Sequence, residues 1–132
     1  MNPAECLILC RFVKAACPQQ AIDEYTPDAW SLLLEHVRLE DAKLAVVAIT
    51  QRSPFCAPAE IIAEVRRIRG KRIAEAGEPT PPAELEGKDA ETRAWLRAEK
   101  RRLGDGEPAS VYGELKSRHL PDIRELMPKV AS

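Results

Sequence analysis

Four cysteines carry the most reactive side chains of this sequence. Cys6 and Cys10 are four residues apart, a spacing that places two side chains on one face of a helix. With Cys17 and Cys56 they could supply four thiolates to a zinc ion, but structural zinc sites usually take their thiolates from closely spaced pairs in loops. Cysteine is also among the most frequently buried residue types. We therefore predict four small core residues with reduced thiols and no metal site.

A second set of residues matches a nuclease motif. Pro27-Asp28 followed by Asp41-Ala42-Lys43 has the PD…DxK pattern of metal-dependent nucleases, in which carboxylates hold Mg²⁺ and a lysine positions water. That chemistry normally depends on adjacent β-strands. Both segments here have the pattern of a helix start, where an acidic residue is stabilised by the positive end of the helix dipole. We therefore expect both aspartates to serve at helix N-termini.

Motifs of several common enzyme classes are missing from the sequence. The first glycine is Gly70, so no glycine-rich loop precedes a lysine to bind phosphate. His36 and His119 are the only histidines, and neither an HExxH sequence nor a nucleophile elbow is present. The sequence therefore predicts no catalytic residues, no cofactor and no enzymatic activity.

Length and composition favour a small helical protein. The 132 residues suffice for one ordinary domain, or for a small domain with a tail. Charged residues make up 31% and aromatic residues 5%, and alanine and leucine are abundant, which favours helices over a sheet. The formal net charge of −1 gives no strong overall attraction to nucleic acid or acidic membranes. Any such attraction must therefore be local.

Neither a membrane span nor a signal peptide is expected. The longest apolar run, 44–49, has about six residues, whereas ~20 are needed to cross a bilayer. The first five residues lack the positive charge with which a signal peptide begins. We expect a cytoplasmic protein that does not contact membranes.

The composition changes near residue 77. All six glycines and six of the eleven prolines lie at or after position 70, whereas every cysteine and most large apolar residues come before the change. We predict a helical bundle domain over 1–76 and a linker and tail over 77–132. Within the tail, 89–103 and 121–127 are candidate helices.

Caps and apolar spacing predict four helices in the bundle domain. They begin at Asn2-Pro3, Thr26-Pro27, Leu39 and Ala57-Pro58. The predicted inward residues are Cys6, Leu9, Cys10, Val13 and Cys17; Trp30, Leu33, Leu34 and Val37; Ala42, Ala45, Val46 and Ile49; and Ile61, Ile62, Val65 and Ile68. Trp30 and Phe55 are expected at the centre of the core. The predicted fold class is all-α: a small four-helix N-terminal bundle with a partly helical, largely extended C-terminal tail.

Two clusters of basic residues are candidate nucleic-acid contacts. The first is Arg66, Arg67, Arg69, Lys71 and Arg72, and the second is Arg93, Arg97, Lys100, Arg101 and Arg102. Residues 61–76 carry five positive and two negative charges, whereas residues 1–60 carry five positive and eight negative ones. Such a positive segment can contact phosphates, but cations near a helix C-terminus are also stabilised by the helix dipole alone.

The last part of the tail has a short apolar face that suits a protein partner. Its residues are Leu120, Ile123, Leu126 and Met127, and Trp95 is a further candidate contact. A segment of this kind can fold into a groove on another protein.

The run from Tyr25 to Glu64 resembles phage replicative-helicase loaders of the loader-and-inhibitor family. The resemblance rests on three features: Tyr25-Thr26-Pro27-Asp28 before Trp30 to Leu34; the acidic-start helix Leu39-Glu40-Asp41-Ala42 through Ala48; and the turn Phe55-Cys56-Ala57-Pro58-Ala59-Glu60-Ile61. It covers about a third of the chain, mainly core and capping residues. It implies a small helical N-terminal domain and a flexible C-terminal region that binds the hexameric replicative helicase (DnaB-type), with contact to an origin-binding initiator protein, in a bacterial host cell.

Three functional hypotheses follow. The first is a non-enzymatic replication accessory protein that loads or inhibits the helicase through its C-terminal region. The second is a small DNA-binding module that contacts phosphates through the basic helix 61–76. The third is a phage inhibitor of another host protein, which the sequence does not separate from the first.

Overall fold

The computed structural model describes residues 1–110 of the chain. Its five α-helices are α1 (Pro3–Ala16), α2 (Thr26–Leu33), α3 (Leu39–Thr50), α4 (Pro58–Ala76) and α5 (Asp89–Gly104), and a single 3₁₀ turn covers Ala83–Leu85. The described residues contain no β-strand, so the predicted all-α class is confirmed. The candidate helix over 121–127 lies outside the described residues. None of the five helices is both long enough and apolar enough to span a bilayer.

The chain divides into two compact units, Met1–Lys71 (unit 1) and Arg72–Ser132 (unit 2). The division falls within α4, whereas the composition change placed a boundary at 76/77. Each unit is described separately below.

The start of α1 follows from its first residues. The Asn2 side chain accepts a hydrogen bond from the Glu5 backbone N–H at 2.8 Å, and the Glu5 carboxylate accepts one from the Asn2 backbone N–H at 3.0 Å. This reciprocal pair satisfies two backbone donors that a helix start leaves without partners. Pro3 occupies the first turn, where its missing N–H costs nothing.

The core of unit 1 is formed where α1 packs against α2 and α3. Every predicted inward residue of the first and third helices is buried: Cys6, Leu9, Cys10, Val13 and Cys17, and Ala42, Ala45, Val46 and Ile49. Trp30, Leu34, Ile61 and Val65 complete the predicted part of this core. The alanine side chains on the inner face of α3 are small, so neighbouring helices can approach it closely.

Two residues expected in the core are exposed instead. Leu33, the last residue of α2, is 58% exposed, whereas Leu34, with φ −111° and ψ 27° at the end of the helix, is buried as predicted. Phe55 is 49% exposed, and the core position is taken by Cys56. The Gln20 side chain bonds both the N–H and the C=O of Cys56 at 2.7 Å and so fixes the inward residue of this loop.

Unit 2 is built around the buried face of α5. Leu103 and Glu99 are nearly inaccessible on this helix. The Arg72 guanidinium donates to the Gly104 carbonyl at 2.9 Å, and the Thr92 hydroxyl donates to the Leu85 carbonyl at 3.1 Å. These bonds connect the C-terminal end of α4 and the 3₁₀ turn to α5.

Candidate interaction surfaces

Most basic residues of α4 are engaged within the protein. Arg67 donates to the buried carboxylate of Glu64 at 2.6 Å, and Arg52 reaches the same carboxylate at 3.4 Å. Hydrogen bonding and charge from Arg67, together with the charge of Arg52, lower the pKa of Glu64, although burial acts in the opposite direction. Glu64 therefore joins α4 to the loop that follows α3.

A second ion pair connects α4 with α3. Asp41 is 1% exposed, and its carboxylate lies 3.1 Å from the Arg69 guanidinium and 3.9 Å from that of Arg38. The Arg69 side chain is only 25% exposed. A buried carboxylate is tolerated only with such partners, so Arg69 has a structural role.

Of the three remaining residues of the first basic cluster, two have interaction partners and one has none among the described residues. Arg72 donates to the Gly104 carbonyl within unit 2, and Lys71 also takes part in an interaction. Arg66 is exposed, and no hydrogen bond or ion pair ties it to another of the described residues. Four of the five basic residues predicted to bind nucleic acid thus already have partners.

Most side chains of the second basic cluster face solvent. Arg93, Arg97, Lys100 and Arg101 are all exposed on α5. Only Arg102 of this cluster lies on the inner side, where it bonds Glu99 at 2.8 Å and Glu107 at 2.7 Å. Glu99 also accepts from the Ser110 backbone N–H at 2.6 Å, which holds the chain after α5 against the helix.

Unit 1 exposes several large apolar side chains. They are Leu7 and Ile8 on α1, Leu32 and Leu33 on α2, Leu44 and Val47 on α3, and Tyr25 and Phe55 in the connections, and each is between 42% and 79% exposed. Leu44 and Val47 lie three residues apart on α3, so they share a face that points away from the buried alanines. Exposed apolar surface of this kind is typical of contact with a partner when it is contiguous.

The cysteines are core residues, as predicted. All four are buried and free, and the sulfurs of Cys17 and Cys56 lie 3.6 Å apart. Burial raises the pKa of Cys10 to about 11 and is the main cause that raises the pKa of Cys56 to about 12. Thiols with such pKa values are poor nucleophiles near neutral pH, because the thiolate is the reactive form.

The two aspartates of the nuclease-like pattern stand at the starts of two different helices. Asp28 is exposed in the first turn of α2, and Asp41 is buried in the first turn of α3, so both stand at helix N-termini as predicted. Among residues 1–110, no group of three or more histidine, cysteine, aspartate or glutamate side chains is arranged to hold a metal ion.

One cavity in unit 2 has polar walls. It has a volume of about 180 Å³ and is lined by Gly77, Glu78, Thr80, Glu99, Leu103 and Ser110, among others. Both oxygens of its buried carboxylate, Glu99, are already bonded to Arg102 and to the chain at Ser110. The buried carboxylate of this cavity therefore has a structural role.

The predicted partner-binding residues are only partly within the described chain. Trp95 is half-buried on α5. The apolar face formed by Leu120, Ile123, Leu126 and Met127 lies outside the described residues.

Comparisons with protein-family models, with curated proteins and with solved structures found no match. The resemblance to helicase loaders therefore remains an expectation from the sequence.

Sequence reasoning missed the ion pairs of the buried carboxylates. Asp41 and Glu64 have the spacing of ordinary helix residues, and their partners Arg69 and Arg52 lie 28 and 12 positions away. No local signal marks Asp41 as buried, because it stands between Glu40 and Ala42 like an ordinary acidic residue of a first helical turn.

Proposed function

We propose that this chain is a non-enzymatic accessory protein of DNA replication, of phage origin, that binds a hexameric replicative helicase in the bacterial cytoplasm through its C-terminal region and loads or inhibits it. An origin-binding initiator protein is a second partner in this proposal. The observation that carries it is the apolar pattern of Leu120, Ile123, Leu126 and Met127 in the sequence of the C-terminal region. A segment of this kind can fold into a groove on another protein. The large apolar side chains that unit 1 exposes suit a contact with the second partner.

The identity of the partner rests on the resemblance of 25–64 to helicase loaders. Of the residues that carry the resemblance, Trp30 and Cys56 are in the core and Pro58 begins α4, whereas Tyr25 and Phe55 are exposed. The helicase is the partner that the resemblance implies.

The alternative of phosphate binding through 61–76 has weaker support. Arg67 and Arg69 are held by Glu64 and Asp41, so a phosphate would have to compete with a buried carboxylate for each of them. Arg66 is the one cation of this cluster that no hydrogen bond or ion pair holds among the described residues.

A pulldown of a DnaB-type helicase tests the proposal. The first bait is the full chain, and the second carries serine at Leu120, Ile123, Leu126 and Met127. The matched control carries serine at Leu32 and Leu33, which are exposed on unit 1. We expect recovery with the full chain and the control, and loss with the second bait. Equal recovery from all three, or none from the full chain, would refute the proposal.

A further inference from the structure

α5 presents a row of cations to solvent. Arg93, Arg97 and Lys100 stand at positions i, i+4 and i+7, so they lie on one face of the helix. All three are exposed, and within residues 1–110 none has a hydrogen bond or an ion pair. At 1.5 Å of rise per residue the row is about 10 Å long. We call these three residues the α5 row.

The side of α5 that carries Glu99, Arg102 and Leu103 is held by the rest of unit 2. Leu103 is 2% and Glu99 4% exposed on that side, and Arg102 is bonded to both Glu99 and Glu107. The Thr92 hydroxyl is bonded to the Leu85 carbonyl. Because these contacts hold the helix by that side, the α5 row remains exposed.

The row is unfavourable to the helix on its own. Arg93 and Arg97 are four residues apart and Arg97 and Lys100 three, so each pair places like charges next to each other, which destabilises a helix. Asp89, four residues before Arg93, is the one acidic side chain at this spacing from the row, and the positions three and four residues to either side of Arg97 hold Arg93, Ala94, Lys100 and Arg101. A linear polyanion would remove this repulsion.

Neighbouring side chains favour nucleic acid over a membrane. Helices that lie on membranes place large exposed apolar residues beside their cations. The two leucines at helical positions beside the α5 row are not exposed, because Leu103 is buried and Leu96 is half-buried. The apolar side of α5, with Leu103, is turned into unit 2.

The same face favours a duplex over a single strand. Binding of single strands relies on aromatic side chains that stack on bases. Trp95 is half-buried on the other side of α5, so no aromatic residue accompanies the row.

We propose that the α5 row binds the phosphate backbone of duplex DNA, without reading base sequence. Arginine is well suited to this contact, because its guanidinium donates two parallel hydrogen bonds to a phosphate. Arg101 is adjacent to the row but already has an interaction partner, so it is not assigned to the site. The residues of this site differ from the apolar residues of the proposed helicase contact.

Salt dependence gives the first measurement. Three phosphate contacts predict a slope of about −2.7 for the logarithm of the affinity against the logarithm of the salt concentration. Between 50 and 200 mM monovalent salt the affinity should therefore fall about 40-fold. Fluorescence anisotropy with a 20-base-pair duplex of arbitrary sequence and the full chain measures this slope. A slope near zero, or no binding in low salt, would overturn the proposal.

A pair of charge-matched variants locates the site. We expect R93E/R97E to lose at least ten-fold in affinity at 50 mM salt. We expect R11E/R66E, which makes the same change in net charge on exposed arginines elsewhere, to bind within about two-fold of the unchanged protein. Equal losses would overturn the assignment, as would a loss confined to R11E/R66E. Circular dichroism checks that both variants keep their helices, and R93Q/R97Q replaces the first variant if it does not fold.

Two further measurements distinguish this proposal from membrane binding and from the proposed helicase contact. Vesicles with acidic lipids should not bind the chain, and binding to vesicles in place of the duplex would overturn the proposal. R93E/R97E should recover the helicase as well as the unchanged protein does. A failure of DNA binding with helicase recovery intact overturns this inference alone, whereas a failure of helicase recovery with DNA binding intact overturns the proposed function alone.

Discussion

At the scale of single residues, buried carboxylates decide which arginines are available to a partner. Asp41 and Glu64 would be costly to bury alone, since an unpaired charge in a protein interior is strongly unfavourable. Each is compensated by arginines, and a partner would have to compete with the carboxylate for them. The sequence shows ten basic residues in two clusters of equal appearance, and only the contacts tell a structural arginine from an exposed one.

Replacing Arg69 with methionine should strongly destabilise the protein. The substitution removes the ion pair between Arg69 and the buried Asp41 carboxylate, from which the Arg38 guanidinium lies 3.9 Å away. We expect the free energy of unfolding to fall by about 3 kcal/mol, as when one partner of a buried ion pair is removed. Urea unfolding at pH 7 measures the change. The matched variant Arg66→Met removes an exposed arginine from the same helix and should change stability by no more than about 0.5 kcal/mol. Equal effects of the two would contradict the structural role of Arg69.

The buried thiols should make the fold sensitive to alkali. Burial raises the pKa of Cys10 to about 11 and, together with Cys17, that of Cys56 to about 12, whereas an unfolded chain releases these protons near pH 9. The folded state therefore holds more protons above pH 9, and the unfolded state gains as pH rises. We expect the free energy of unfolding to be insensitive to these thiols below pH 9. Between pH 9 and 11 it should fall by up to about 1.4 kcal/mol per pH unit for each thiol.

Urea unfolding at pH 8 and pH 10 measures this loss. In Cys10→Ala one of the titrating thiols is gone, so the difference between the two pH values should be smaller than in the unchanged protein. The same difference in both proteins would show that Cys10 does not titrate as proposed.

At the scale of elements, the sequence predicts helices where burial is periodic and caps are explicit. The stripes of α1 and α3 and the capping pair Asn2 and Glu5 are present as predicted. The prediction failed at Leu33 and at Phe55, which are exposed; in both places the next residue, Leu34 or Cys56, is the buried one. Contacts such as that of Gln20 with Cys56 join residues 36 positions apart and leave no local pattern.

The end of α2 depends on the first residue of the chain. The Met1 ammonium donates to the carbonyl oxygens of Leu34, Glu35 and Val37 at 3.1, 2.7 and 2.9 Å. These carbonyls directly follow α2. A hydrogen bond from a charged donor is stronger than one from a neutral donor, so the ammonium favours this turn of the chain.

An extension before Met1 should therefore weaken unit 1. Placing Gly-Ser ahead of Met1 turns the ammonium into an amide with one N–H, which can replace only one of three charge-assisted bonds. We expect a loss of about 2 kcal/mol in the free energy of unfolding, in the range of hydrogen bonds to charged groups. The same two residues added after Ser132 are the control and should have no effect. Equal stability of the two extended proteins would contradict the role of the ammonium.

At the scale of the whole molecule, the apolar core is unevenly shared between the units. All fourteen residues of the main core cluster lie in unit 1. Among the described residues of unit 2, Leu103 is the one buried large hydrophobic side chain. The change in composition near residue 77 predicts this asymmetry, because glycine, proline and charged residues there leave little apolar material to bury. It does not predict that the division falls inside α4.

This asymmetry predicts how fragments of the chain behave. The fragment 1–76 keeps the whole core and all of α4, so it should unfold cooperatively, with a free energy of unfolding within about 1 kcal/mol of that transition in the full chain. The fragment 77–132 should show little helix by circular dichroism, because isolated helices of this length are marginal without packing. The fragment 1–50 is the control: it lacks Cys56, Ile61 and Val65 and should not fold, since losing three buried side chains exceeds the stability of so small a domain. If 1–76 shows no cooperative transition while the full chain does, the core of unit 1 is not sufficient for folding.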